Sequence, residues 1–272
     1  MLKKTKGANH MTIKTIVFDL DDTLLWDEKS IATAFERTCH EAAIEKKIDA
    51  TLFEQKVRAA ARALYESYPV FDYTQQIGIN PFEGLWGGFD DPTPEFQQLR
   101  AIAPDYRQSA WYEGLLSFAV DDKEYALKLS ERFVEVRRES PFLYPETLSV
   151  LEKLQKNYQL VMLTNGAPSL QNEKLAITPE LKGYFDRIII SGDFGYGKPD
   201  KRLFEYLLLE TGANIAETLM VGDNLKTDIL GASRMGMASA WINREDKIPN
   251  LEVTPTYEIK NLSELEHLLH SI

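Results

Sequence analysis

Cysteine is almost absent from this sequence, and its scarcity limits the classes of protein that the chain can form. The single cysteine, Cys39, cannot close a disulfide within the chain, which disfavours the disulfide-stabilised secreted class. The four histidines and this cysteine show no spacing typical of a zinc site. We therefore predict a cytoplasmic protein in which Cys39 is a small buried apolar residue.

Long hydrophobic runs and excess positive charge are also missing. No stretch approaches the roughly 20 apolar residues of a membrane span. The net charge of -11 disfavours binding to nucleic acid or to an anionic membrane. The first ten residues, MLKKTKGANH, are basic but lack the apolar segment of a signal peptide, and we interpret residues 1–10 as a flexible extension. We expect a small-molecule partner, no nucleic acid and no membrane, with the oligomeric state left open.

The order of hydrophobic segments indicates the fold class. Hydrophobic residues make up 44% of the chain, enough for a substantial core. The short β-branched run Thr15–Leu20 predicts a strand that is buried on both faces. From Tyr144 onward strand patterns alternate with helical ones, in the segments YQLVMLTNG, FDRIIISGD, TLMVGDN, MASAWIN and TYEI. This alternation predicts an α/β fold with a Rossmann-like parallel sheet.

A long, mostly helical block separates the first strand from the others. Apolar residues recur at helical spacing from Ser30 to Tyr68. The segment 71–91 is rich in glycine and proline and is predicted not to continue a helix. More helix is predicted over residues 93–103, 105–119 and 123–138, with Pro104 as a break.

The helical block is most simply interpreted as an insertion into the α/β domain. We predict a core domain made of residues 11–26 and 143–272. Residues 27–142 are then predicted to form an α-helical cap domain.

Polar side chains gather where the predicted strands end. In chain order these residues are Asp19, Asp21, Thr164, Asn165, Lys198, Asp223 and Asp228. Ligands of parallel sheets bind at the carboxyl ends of the strands, near the point where strand order reverses, so we expect these side chains to converge. Acids, a hydroxyl and a lysine in one crevice suit Mg²⁺ together with a phosphate.

The motifs D-x-D-x-T, T-N, K-P and G-D-x-x-x-x-D, in this order, resemble those of the haloacid dehalogenase superfamily of phosphohydrolases. The inserted helical block is similar to the subgroup with a helical, C1-type cap. The resemblance covers nearly the whole chain from Met11 onward. It implies a Mg²⁺-dependent phosphatase, a phosphoric monoester hydrolase. Asp22 stands where many relatives carry glycine, and we assign it no role.

The resemblance implies different roles for the first two aspartates. Asp19 is expected to attack phosphorus and form an aspartyl-phosphate. Asp21, two positions along the extended chain, is expected to protonate the leaving alkoxide and then to take a proton from the attacking water. This requires Asp19 to be ionised while Asp21 is protonated, and carboxylates that share a site beside a metal have separated pKa values.

The other motif residues are expected to bind phosphate and metal. Lys198 would neutralise phosphate charge and hold Asp19, and Thr164 and Asn165 would bind the phosphoryl oxygens or shape the turn beside them. The metal ligands that the resemblance implies are Asp19, Asp223 and the backbone carbonyl of Leu20. It also implies weaker contributions from Asp21, through its backbone or a water, and from Asp228, which would orient water or Lys198.

The cap is expected to close over the crevice and to select the leaving group. Trp26 directly follows the catalytic loop and is expected to face the cavity. Arg62 is a candidate for binding a carboxylate or a second phosphate of the substrate. Phosphoserine, a nucleoside monophosphate and a sugar phosphate stay open as substrates.

Two alternatives to a phosphatase remain open from the sequence. A phosphomutase uses the same groups but returns the phosphoryl group to a second hydroxyl. A non-catalytic binding module would keep the fold without turnover. Asp21 argues against the dehalogenase branch of the same superfamily, which lacks the second aspartate. The motif of a P-loop kinase is absent from the sequence.

Overall fold

The centre of the molecule is a twisted parallel sheet. The computed structural model describes residues 12–248 and 253–272, so the predicted extension over residues 1–10 lies outside the described part. The six strands of this part are β1 (Thr15–Phe18), β2 (Gln159–Thr164), β3 (Arg187–Ile190), β4 (Thr218–Gly222), β5 (Ala238–Ile242) and β6 (Tyr257–Ile259). Their order is β3-β2-β1-β4-β5-β6, and every pairing is parallel. The predicted Rossmann-like α/β fold is confirmed.

The order of the strands reverses at β1. The chain steps outward from β1 to β2 and β3, and then returns to place β4 on the other side of β1. Thr15 of β1 lies opposite Gln159 of β2 and opposite Thr218 of β4. The carboxyl ends of β1 and β4 therefore flank the crevice in which a parallel sheet binds its ligands.

Helices cover both faces of the sheet and form a separate layer above it. They are α1 (Asp27–Lys46), α2 (Ala50–Ser67), α3 (Phe71–Ile77), α4 (Pro81–Gly84), α5 (Pro94–Leu116), α6 (Lys123–Glu139), α7 (Thr147–Leu154), α8 (Pro168–Ile177), α9 (Pro179–Lys182), α10 (Ser191–Phe194), α11 (Lys201–Thr211), α12 (Leu230–Met235) and α13 (Ser263–Ser271). A 3-10 turn (Ile215–Glu217) precedes β4, and a π-helical turn (Leu225–Ile229) follows it.

The side chains of β1 alternate between two cores, as the period of a strand requires. Ile16 and Phe18 belong to the cluster that contains Leu151 of α7. Val17 points to the opposite face and belongs to the cluster that contains Phe204 of α11. Because both faces are covered, the residues Ile16, Val17 and Phe18 that precede Asp19 are all apolar.

Helices α1 to α6 pack around one hydrophobic cluster, to which Ala167 and Leu170 at the start of α8 also belong. Phe35, Phe53, Trp111 and Phe133 are fully buried in it. Cys39 is 1% exposed in the same cluster, which confirms its prediction as a buried apolar residue. Helix α1 begins at Asp27, while the division of the chain into two domains at residues 26 and 143 stays a prediction.

The structure corrects two helix predictions. Helix α5 runs without interruption through Pro104, because its buried face continues on both sides with Leu99 and Trp111 packed in the core. The segment 71–91 contains two short helices, α3 and α4. Asn80 and Glu83 form a capping box that starts α4, and Pro81 occupies its first position.

Among the described residues, no helix has both the length and the apolar character that crossing a membrane would require.

Candidate active site

Three carboxylates converge at the reversal point of the sheet. Asp19 directly follows β1, Asp223 directly follows β4, and Asp228 lies in the π-helical turn beyond it. One carboxylate oxygen from each of the three lies within 4.8 Å of the others. The backbone N–H of Asp19 donates to the carbonyl of Val221 at 3.0 Å, which fixes the two strand ends together.

The ammonium group of Lys198 lies inside this cluster. It contacts the carboxylate of Asp19 at 2.5 Å and that of Asp228 at 2.7 Å, and its side chain is only 2% exposed. Burial opposes the charge of Lys198, but the two neighbouring carboxylates outweigh burial and raise its pKa above the usual value. Lys198 is therefore a permanent cation beside Asp19.

Repulsion and burial disturb the acids of the cluster. Burial raises the pKa of Asp19 to about 6, against the opposing effect of Lys198. Burial, followed by the charges of Asp19 and Asp228, raises the pKa of Asp223 well above its ordinary value. Such a set of hard oxygen donors with uncompensated repulsion suits a divalent cation of the Mg²⁺ type.

Small residues and buried polar groups hold the loop after β4 in place. The indole N–H of Trp241 donates to the backbone carbonyl of Asp223 at 2.7 Å. The hydroxyl of Thr23 accepts from the backbone N–H of Asp223 at 3.2 Å and donates to Asp19 at 3.4 Å. A Cβ atom at Gly222 would collide with the carboxylate of Asp228, so this strand end requires glycine.

Asn165 positions the backbone of Lys198. Its side-chain oxygen accepts from the N–H of Lys198 at 2.8 Å, and its amide donates to the carbonyl of Lys198 at 3.0 Å. These two bonds fit the predicted role of Asn165 in shaping the turn, and its contact with phosphate stays a prediction. The hydroxyl of Thr164 is buried and accepts from Gln171 at 2.6 Å, so its contact with phosphate stays a prediction.

Asp21 lies in a different environment from Asp19. The ammonium group of Lys174, on α8, lies 2.9 Å from both carboxylate oxygens of Asp21. Gln171, one turn earlier on the same helix, donates to Asp21 at 3.0 Å. Burial raises the pKa of Asp21 above its ordinary value, while Lys174 opposes this shift. The structure thus gives the two aspartates of the motif separate cationic partners.

The carbonyl of Leu20 does not fit the role of metal ligand that the resemblance implied. It accepts hydrogen bonds from the backbone N–H groups of Leu24 and Leu25, both at 2.9 Å. These two bonds occupy both lone pairs of the oxygen. In the part of the chain that the structure describes, no donor reaches the carbonyl oxygen of Asp21, the other backbone candidate.

Asp22 adopts a left-handed backbone conformation, with φ of 57°. Glycine adopts this conformation without a steric cost, and aspartate is among the residues that tolerate it. The Asp22 side chain accepts from the backbone N–H of Glu28 at 2.9 Å and so caps the start of α1. The left-handed backbone and the hydrogen bond to α1 explain the aspartate at this position, and no catalytic role is needed to explain it.

A cavity of about 680 Å³ connects Asp21 with the helical insertion. Arg62 lines this cavity, and its guanidinium lies 4.9 Å from the centre of the Phe82 ring. Trp26 lies elsewhere: it stacks on Tyr144 and lines a second cavity of about 640 Å³ on the side of Asp223. This second cavity also contains Asp22 and Asp223, so Trp26 faces the crevice beside the acids, and its contact with the substrate stays a prediction.

Sequence reasoning missed Gln171, Lys174 and Glu83. Gln171 and Lys174 stand three positions apart on α8, on the face that also carries the buried residues Leu170 and Leu175. Gln171 and Lys174 are polar residues at buried positions of a helical pattern, and this signal in the sequence could have identified them. For Glu83, only its spacing from Asn80 was visible, which predicts a cap and not a contact with α8.

Comparison with known families agrees with this geometry. The model of the haloacid dehalogenase-like hydrolases matches residues 13–236. The chain therefore belongs to this family of hydrolases.

Two relatives and one solved structure show which proteins this chain is similar to. Phosphoserine phosphatase of Thermus thermophilus is 35% identical over 254 residues, covering 93% of this chain and 98% of that protein. Pyrimidine 5'-nucleotidase YjjG of Escherichia coli is 36% identical over 143 residues, or 52% of this chain and 63% of that protein. The magnesium-bound structure of the putative hydrolase YfnB of Bacillus subtilis has a TM-score of 0.66 at 23% identity, and the match covers 95% of this chain and 99% of that one.

Proposed function

We propose that this chain is a Mg²⁺-dependent phosphatase that hydrolyses a small phosphomonoester through an aspartyl-phosphate. The observation that carries the proposal is that Asp19 and Asp21 have different charged partners. Asp19 contacts Lys198 within the cluster of acids, whereas Asp21, two residues along, is held by Lys174 beside the large cavity. Two carboxylates with different partners suit a nucleophile and a proton donor.

The metal would be held by oxygen ligands at the end of the sheet. We assign this role to the side chains of Asp19 and Asp223 and to the backbone carbonyl of Asp21, to which no described residue donates, with Asp228 as a further acid beside them. When bound, the metal supplies positive charge that keeps Asp19 ionised and offsets the charge of the phosphoryl group.

The protein groups would then divide the reaction between them. Asp19 attacks phosphorus, and the bond to the leaving oxygen breaks as Asp21 donates its proton to that oxygen. Lys198 stabilises negative charge at Asp19 and at the transferred group. Asp21, now ionised, takes a proton from the water that hydrolyses the aspartyl-phosphate, which returns both carboxyl groups to their starting states.

We assign helices α1 to α6 to a cap domain that opens and closes over the crevice. The magnesium-bound YfnB structure reveals interdomain movement in that protein, which supports the same division here. The cavity between Asp21 and Arg62 would hold the leaving group. In this arrangement the guanidinium of Arg62 suits a leaving group that carries a carboxylate.

Among the three substrate classes we favour phosphoserine. Its carboxylate would reach Arg62, and the relative that acts on phosphoserine matches over 98% of its own length. A nucleoside monophosphate is the second candidate, because the shorter match is to a pyrimidine 5'-nucleotidase.

Hydrolysis of 4-nitrophenyl phosphate with Mg²⁺ tests the proposed reaction. We expect the parent protein to be active and Asp19→Asn to be inactive. Asp22→Asn is the matched control in the same loop, since the structure accounts for Asp22 as a backbone position, and it should retain activity. Parental activity in Asp19→Asn would remove Asp19 as the nucleophile. With a sugar phosphate, which carries further hydroxyl groups, isomerised product without free phosphate would instead identify a phosphomutase.

A screen of phosphoserine, nucleoside monophosphates and sugar phosphates tests the substrate. If phosphoserine is the substrate, Arg62→Met should raise KM for phosphoserine about tenfold or more, since a charged contact is worth about 1.5–3 kcal/mol. KM for 4-nitrophenyl phosphate should stay unchanged, because its leaving group has no carboxylate. Equal effects on both esters would exclude Arg62 as a carboxylate-binding residue.

A further inference from the structure

A buried ion pair connects the helical insertion with the sheet domain beside Asp21. The ammonium group of Lys174 lies 2.9 Å from the carboxylate of Glu83, and the two side chains are only 3% and 4% exposed. Lys174 belongs to α8, which follows β2, whereas Glu83 belongs to α4 of the insertion. The same ammonium group contacts Asp21. One cation therefore holds one carboxylate from each side of the crevice.

Glu83 is held rigidly in this position. Its second carboxylate oxygen accepts from the backbone N–H of Asn80 at 2.9 Å, and the Asn80 side chain accepts from the backbone N–H of Glu83 at 3.0 Å. This capping box fixes the side chain of Glu83 to the start of α4. The position of Glu83 relative to Lys174 is thus set by how the insertion docks.

The donors of α8 limit the freedom of Asp21. Lys174 contacts both of its carboxylate oxygens, and Gln171 donates to one of them. An ammonium group has three protons, so its contacts with Asp21 and Glu83 together use its donors. Without Glu83, the ammonium group of Lys174 would lose its ion pair with α4 of the helical insertion.

We propose that Glu83 and Lys174 are positioning residues that align the Asp21 carboxyl group when the helical insertion docks. Neither residue touches the substrate in this proposal. Docking of α4 fixes Lys174, and Lys174 with Gln171 then fixes the direction of the Asp21 carboxyl group toward the leaving oxygen. The inference rests on the proposed phosphatase reaction, in which Asp21 donates a proton to that oxygen.

The leaving group provides a test that a merely structural role would not pass. Phenyl phosphate has a more basic leaving group than 4-nitrophenyl phosphate, and its departure depends more strongly on proton donation. The value of kcat/KM covers the steps up to the departure of the leaving group. Misalignment of Asp21 should therefore lower kcat/KM for phenyl phosphate more than for 4-nitrophenyl phosphate.

Glu83→Gln is the principal variant, because glutamine also forms a capping box but cannot pair with an ammonium group as a carboxylate does. We expect kcat/KM for phenyl phosphate to fall about tenfold or more, a part of the ~10²–10⁴-fold that acid–base catalysis contributes. The fall for 4-nitrophenyl phosphate should stay within about threefold. Glu83→Asp keeps the charge but shortens the side chain, and it should change the ratio of the two values in the same direction.

The matched control is Glu173→Gln. Glu173 precedes Lys174 on α8 and pairs with Arg138 of α6 at 2.6 Å, so it also joins the insertion to α8, but it does not contact Asp21. Its ratio of kcat/KM values should equal that of the parent. An unchanged ratio in both folded Glu83 variants, or an equal change in Glu173→Gln, would overturn the positioning role alone. A parent that hydrolyses neither ester would overturn the proposed function, and the positioning role with it.

Discussion

The guanidinium group of Arg137 donates to the carboxylate of Asp27 at 2.7 Å, and both side chains are almost fully buried. Asp27 is the first residue of α1 and Arg137 lies in the last turn of α6, so this ion pair joins the two ends of the helical insertion. Burial opposes ionisation of Asp27, but Lys174 and Arg137 outweigh it and lower its pKa. The pair therefore keeps its charge at neutral pH.

Removing either partner of this pair should destabilise the protein strongly. Arg137→Met and Asp27→Asn are each expected to lower the free energy of unfolding by about 3 kcal/mol or more, because each leaves a buried charge without its partner. The double variant should lose less than the sum of the two. Denaturant unfolding of the four proteins measures this. Additive losses would show that the two side chains are not coupled.

Lys198→Met should reduce kcat for 4-nitrophenyl phosphate by about 10²–10³-fold, since a preorganised charge at the reacting group is lost. Lys198→Arg should not restore the activity, because the ammonium group lies in a closed space between Asp19 and Asp228. Steady-state kinetics on proteins with unchanged circular dichroism provide the measurement. Near-parental kcat in Lys198→Met would exclude Lys198 from the reaction.

Asp223→Asn should weaken the binding of Mg²⁺ by at least about tenfold, since it removes one of the anionic ligands of a hard cation. The stimulation of activity by increasing Mg²⁺ gives the apparent affinity, and calorimetry on the protein without substrate gives it independently. If both measurements match those of the parent, Asp223 is not a ligand of the metal.

Asp22 should make stability depend on pH. Burial raises its pKa from 3.8 to about 7, so the folded state favours the protonated form. The stabilisation of the folded state by this protonated carboxyl group is fully present below about pH 4, and it is lost as the pH rises through about 7. Asp22→Asn stays neutral, and in metal-free buffer it should exceed the parent in stability by about 1–2 kcal/mol at about pH 8, because one pKa unit corresponds to ~1.4 kcal/mol and the side chain is partly exposed to solvent.

Unfolding curves for the parent and Asp22→Asn at several pH values measure this difference. The two proteins should be equally stable near pH 4, where the carboxyl group of Asp22 is protonated in the folded state and about half protonated in the unfolded state. A difference that stays constant with pH would show that folding does not raise the pKa of Asp22.

The strand ends and the acids at them could be predicted from the sequence. Asp19 and Asp223 each follow a short apolar run that needs burial on both faces, and parallel strands bring their carboxyl ends to one edge. Boundaries inside the insertion were less predictable. Pro104 locally disfavours a helix, but packing of the flanking residues stabilises α5 across it.

The sequence by itself determined the parallel sheet, the helical insertion and the position of Asp19, since these depend on periodic patterns that local chemistry specifies. Tertiary structure alone decided that Lys174 pairs with Asp21 and Glu83, residues 153 and 91 positions away. Contacts between distant segments depend on how helices dock, and a single sequence carries no periodic signal for that.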